Sequence, residues 1–72
     1  MDFMISLDTF DKIKKFINIS SLLHYELDLI SGKYVVDGKS IMGILSLDLS
    51  NPLKVNVVDS NTYPKELEEF MI

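Results

Sequence analysis

Three stretches of this 72-residue chain alternate apolar and polar residues, and that period of two constrains the fold more than any other feature. Phe3, Ile5 and Leu7 are separated by Met4 and Ser6, Tyr25, Leu27 and Leu29 by Glu26 and Asp28, and Leu53, Val55 and Val57 by Lys54 and Asn56. Successive side chains of a strand point to opposite faces, so each stretch is expected to bury one face and wet the other. Lys33 to Val36 is aromatic and β-branched and follows the turn signal Ser31-Gly32, which makes it a hairpin partner for the second strand.

Between the first two alternating stretches the period changes. Phe10, Ile13, Phe16, Ile17 and Ser20 recur at helical spacing, with Lys12, Lys14 and Lys15 outside, and Asp8 or Thr9 can cap the start. The spacing predicts a helix from about Thr9 to Leu23, with acids at its start and lysines later, the order the helix dipole favours. Asp37-Gly38 is a second turn, and Ser40 can cap a short helix with Ile41, Ile44 and Leu45 on one face. Ser50-Asn51-Pro52 ends that region. Asp59-Ser60-Asn61-Thr62 reads as a loop ending in a cap, and Pro64 suits the first turn of a last helix whose apolar face is Leu67, Phe70 and Met71.

The resulting order, β-α-β-β-α-β-α, predicts one α+β domain over residues 1–72: a four-stranded antiparallel sheet with three helices on one face. A domain this small buries only roughly 60% of its unfolded surface, so it depends on the 47% of its residues that are hydrophobic. No stretch approaches the roughly 20 apolar residues of a membrane helix, and the acid in Met1-Asp2-Phe3-Met4 argues against a signal peptide. With no cysteine there is neither a disulfide nor a thiolate metal site, and a reducing, cytoplasmic setting is expected. The net charge is −4 and arginine is absent, so neither phosphate nor guanine can be gripped bidentately and nucleic acid is not an expected partner.

The same inventory argues against an enzyme. One histidine and no cysteine assemble no nucleophilic triad and no zinc site, and three scattered glycines make no phosphate loop. His24 falls at the end of the first predicted helix, where the dipole opposes a bound anion, so it reads as a boundary residue. Glu66, Glu68 and Glu69 read as a solvated face, and Asp37 as turn chemistry. No cofactor is implied. Ile41 and Met42 are neighbours that one helical stripe cannot bury equally, so Ile44 is expected in the core, Met42 and Leu45 at least partly exposed, and Ile41 between.

Lys39-Ser40-Ile41-Met42-Gly43-Ile44-Leu45-Ser46-Leu47 resembles the regulatory serine region of the histidine-containing phosphocarrier (HPr) family of Gram-positive bacteria. There a basic residue, the serine, two apolar residues and a glycine precede a spaced apolar face. The element order is similar to that family's fold across nearly the whole chain. The resemblance implies that Ser40 is a phosphorylation site and that Lys39, Ile41, Met42 and Leu45 bind partner proteins. It implies a place in bacterial sugar phosphotransferase or carbon-catabolite regulation. Its implied partners are a serine kinase/phosphorylase acting on HPr and a catabolite-control transcription factor.

The likeness breaks at the family's phosphocarrier histidine, which lies between the first strand and first helix and is followed by arginine and proline. Here that connection is Leu7-Asp8-Thr9-Phe10-Asp11-Lys12, with none of the three, and Asp8 and Asp11 bring negative charge where a phosphate would sit. The expectation is therefore a non-catalytic HPr-like protein, monomeric or weakly dimeric. The rival readings are an active phosphocarrier and an interaction module that shares the fold but not the pathway. A first strand at a sheet edge would invite pairing.

Overall fold

The computed structural model describes every residue except Asp59. Its strands are β1 (Asp2–Ile5), β2 (Leu27–Ser31), β3 (Tyr34–Asp37) and β4 (Leu53–Val57), and its α-helices are α1 (Phe10–Leu22) and α2 (Ile41–Leu45), followed by a 3-10 helix (Lys65–Phe70). The strands form one antiparallel sheet in the order β1-β4-β2-β3, with Phe3 opposite Val55, Leu29 opposite Val55 on the other side, and Leu29 opposite Val36. The fold is α+β, with a four-stranded antiparallel sheet and three helices.

The alternation does what period two requires. Phe3, Ile5, Leu27, Leu29, Leu53, Val55 and Val57 are buried, and they share one cluster with Ile13 and Phe16 of α1, Ile44 of α2, and Leu67 and Phe70 of the 3-10 helix. The helices therefore cover one sheet face, and the intervening residues lie on the other. The Phe16 and Phe70 rings meet edge to face at 5.4 Å, which joins α1 to the 3-10 helix, and Lys15 pairs with Glu69 across the same seam at 2.8 Å.

α1 begins where the cap chemistry places it, one residue inside the expected bounds. Thr9 is extended and its side chain accepts from Lys12 N, and Leu23 closes the other end. The lysines do not serve the dipole as expected: they lie in the first half of α1, and its last turn holds no basic residue. Ser20 is fully buried, and its hydroxyl lies within donating distance of the carbonyls of Ile17 (3.2 Å) and Gly38 (3.1 Å). That second contact ties α1 to the turn before α2.

Several expected boundaries are corrected. Leu7 is buried but lies beyond β1, and Tyr25 and Glu26 precede β2. The hairpin loop is Gly32-Lys33, closed by Ser31 opposite Tyr34, so Lys33 is a turn residue, and Gly32 supplies the positive φ of 59°. The last helix is 3-10, with Leu67 N bonded to Pro64 O. Three residues per turn align Leu67 with Phe70, which is why both are buried. Pro64 sits at the cap position rather than inside, Thr62 caps nothing, and Met71 has left the helix to bridge Ile5. The Asp59 end of the expected loop lies outside the described residues.

Candidate functional site

Ser40 stands where β3 turns into α2. The turn is fixed from both sides: Gly38 N donates to Leu27 O at 2.7 Å, Lys39 N to Asp37 Oδ1 at 2.9 Å, and Ser40 N to Asp37 O at 3.1 Å. Gly38 is required by proximity, since a Cβ there would stand 2.9 Å from Leu27 Cβ and 3.0 Å from its carbonyl oxygen.

The Ser40 hydroxyl accepts from Gly43 N at 3.2 Å and its carbonyl from Ile44 N at 3.0 Å, so it is the N-cap. Ser46 closes the far end, its hydroxyl donating to Gly43 O at 2.6 Å. Gly43 lets α2 approach β3, because a Cβ there would lie 3.1 Å from Val36 Cβ.

The helix anchors itself through buried Ile44 and presents the rest. Met42 is 81% exposed, Leu45 49% and Ile41 40%, the partition that the helical spacing predicts. Three large apolar side chains on five residues form a contiguous unpartnered patch beside the half-buried Ser40. Lys39 does not stand over Ser40. Its ammonium donates to Leu23 O at 2.9 Å, at the end of α1. The neighbouring recess of about 290 Å³ is lined by Glu26, Leu27, Asp28, Asp37 and Lys39 and is dominated by carboxylates.

The remaining candidates are dispersed. The start of α1 is occupied from within: Asp8 pairs with Lys12 at 2.9 Å, and that hydrogen bond and charge hold the Asp8 carboxyl below the usual carboxylate range. His24 is exposed just past α1. Glu68 accepts from the Tyr63 hydroxyl at 3.2 Å, which raises the phenol's pKa, and Glu69 is taken by Lys15. Among the described residues no cluster of His, Cys, Asp and Glu has the arrangement of a metal site, and no helix is long and apolar enough to cross a membrane.

Two features escaped the sequence reading. Asp28 and Asp37 lie directly opposite each other on β2 and β3, and Tyr34 and Val35 are exposed on an edge strand. Counting outward from a Gly32-Lys33 loop, instead of Ser31-Gly32, would have found both. Comparison with family models, curated proteins and solved structures returns no match to this chain.

Proposed function

We propose that this chain is a non-catalytic, HPr-like bacterial cytoplasmic protein that works by protein contact through α2, switched by phosphorylation of Ser40. The observation that carries the reading is the pairing of Ser40 with the exposed Ile41, Met42 and Leu45 on one short helix. A core helix would bury such residues, whereas Met in particular suits an adaptable docking surface. A phosphoserine at this position would put a charge of about −1.5 to −2 at the rim of the apolar patch, enough to change which partner accepts it. The β-α-β-β-α-β order and the Lys39-to-Leu47 motif support the family likeness. The Asp8–Lys12 pair, where the family keeps its histidine, counts against phosphocarrier chemistry.

The test is intact mass after incubation with ATP and an HPr serine kinase, followed by peptide mapping. One added phosphate on Ser40 is the expected result. An unmodified mass, or a phosphate on another serine, would remove the regulatory reading.

A further inference from the structure

The two edges of the sheet are not alike. Beyond β1 the C-terminal residues close the ladder: Ser6 N donates to Phe70 O at 2.9 Å, Ile72 N to Met4 O at 3.3 Å, and Met71 bridges Ile5. Nothing among the described residues pairs with the outer side of β3.

The hydrogen-bond phase of β3 follows from its register. Gly38 N donates to Leu27 O, which makes Asp28 opposite Asp37 a non-hydrogen-bonded pair. The phase then alternates, so Val36 and Tyr34 bond to β2, and Val35 and Asp37 turn their backbone groups outward. The Asp37 carbonyl is satisfied by Ser40 N. The Val35 N–H and C=O and the Asp37 N–H remain as free ladder positions. Around them Tyr34 is 72% and Val35 60% exposed, on a strand with no proline and no bulge to discourage pairing.

We propose that β3 is a self-association edge that pairs antiparallel with β3 of a second copy about a two-fold axis through Val35. In this register Val35 faces the partner's Val35, and each donates its N–H to the other's carbonyl. Lys33, the turn residue just before β3, comes beside the partner's Asp37, and Asp37 beside the partner's Lys33. The symmetry therefore makes two ion pairs, and each Asp37 gains a cation beside the Asp28 carboxylate that it faces within its own sheet. Centring the axis on Val36 instead sets Asp37 against the partner's Val35 and leaves both charges without partners. Charge complementarity thus favours one register, and it points to a second copy as the occupant, because the segment from Lys33 to Asp37 is complementary to itself when run antiparallel. The result is a continuous eight-stranded sheet with both α2 helices on the same side. The inference is independent of what happens at Ser40.

The test is sedimentation equilibrium of the full chain from about 10 μM to about 1 mM, the range in which an interface this small associates. It is combined with amide exchange at the two ends of that range. The mass is expected to rise from 8.2 kDa toward twice that value, with protection of the Val35 amide growing in parallel. Lys33→Glu should weaken association about tenfold or more, since it opposes like charges twice. Lys33→Glu combined with Asp37→Lys should restore it, with circular dichroism confirming that each variant is folded. A constant mass of 8.2 kDa would overturn the proposal. So would association that leaves Val35 exchange unchanged, or association indifferent to Lys33→Glu.

Discussion

Replacing Ser40 by alanine isolates the capping role on which every reading of this site depends. The hydroxyl is the acceptor for Gly43 N at 3.2 Å, and α2 has only five residues across which to share the loss. Removing a serine N-cap costs about 1 kcal/mol, within a span of about 0.5–2. Unfolding entropy near 60 °C is about 2.1 cal/mol/K per residue, or about 0.15 kcal/mol/K for 72 residues. The melting temperature should therefore fall by about 7 °C. Thermal and urea unfolding followed by circular dichroism measure this, and the urea dependence should keep its slope while the midpoint drops. Ser40→Asp should stay close to the parent and Ser40→Gly should lose only a few tenths of a kcal/mol, since both suit the extended cap position. A melting temperature for Ser40→Ala within about 2 °C of the parent would refute the capping argument. A Ser40→Gly variant as damaged as Ser40→Ala would refute it too, pointing to packing of the Ser40 Cβ instead.

Other perturbations test the surroundings. Gly38→Ala should destabilise by about 1–3 kcal/mol in urea titration, because its Cβ would meet the Leu27 carbonyl oxygen at 3.0 Å; a neutral result would mean that the turn shifts freely. Asp28→Lys should stabilise the protein by up to about 1 kcal/mol in the same assay by ending the opposition to Asp37, and a loss of stability would contradict that reading. Tyr63 should titrate above 10.0, because its hydroxyl donates a hydrogen bond to the Glu68 carboxylate, whose negative charge also opposes ionisation of the phenol. A phenol whose folded pKa is raised lends stability that is complete below its unfolded pKa and disappears as pH climbs through the raised value. Glu68→Gln should move the Tyr63 ring titration, followed by NMR, back toward 10.0, and identical curves for the two proteins would exclude the contact.

What was legible in the sequence was whatever depends on periodicity. The buried faces of β1, β2 and β4, the Ile13–Phe16–Ser20 stripe of α1 and the division of α2 into buried Ile44 and exposed Met42 all follow from residue spacing. Phe10 and Tyr25, expected on the buried faces of α1 and β2, are instead exposed, at the start of α1 and just before β2. Chemistry that depends on single positions was legible where one side chain acts on its own backbone, as with Thr9 and Ser40. The rest needed long-range partners. Leu7 is buried without being in a strand: the Phe70 carbonyl accepts from the preceding amide, Ser6 N, a contact with the far end of the chain that spacing alone does not reveal. The 3-10 geometry of Lys65–Phe70 arises because Leu67 and Phe70 must both reach the core while Met71 returns to β1. Lys39 sits beside Ser40 in sequence, yet its ammonium is drawn to a carbonyl sixteen residues earlier.

That position of Lys39 would give a phosphate placed on Ser40 a consequence at a distance. The phosphate would join the oxygen that now caps Gly43, and the nearest chain neighbours offer it little: Asp37 is anionic, and the Lys39 ammonium is held 2.9 Å from Leu23 O. Both bonds carry the ammonium's charge, but only the phosphate supplies an opposite charge, of about −1.5 to −2, to attract it. Lys39 should therefore leave Leu23 for the phosphate, freeing the carbonyl that marks the end of α1. Chemical synthesis can place phosphoserine at residue 40 of a 72-residue chain without any kinase, so this outcome does not depend on the enzyme test. Amide shifts should then appear at Leu23 and His24 as well as along residues 37–46, and Lys39→Ala should abolish the first group while sparing the second. Shifts confined to residues 37–46 in the parent sequence would show that Lys39 keeps its bond to Leu23, and that a phosphate at Ser40 acts on α2 alone.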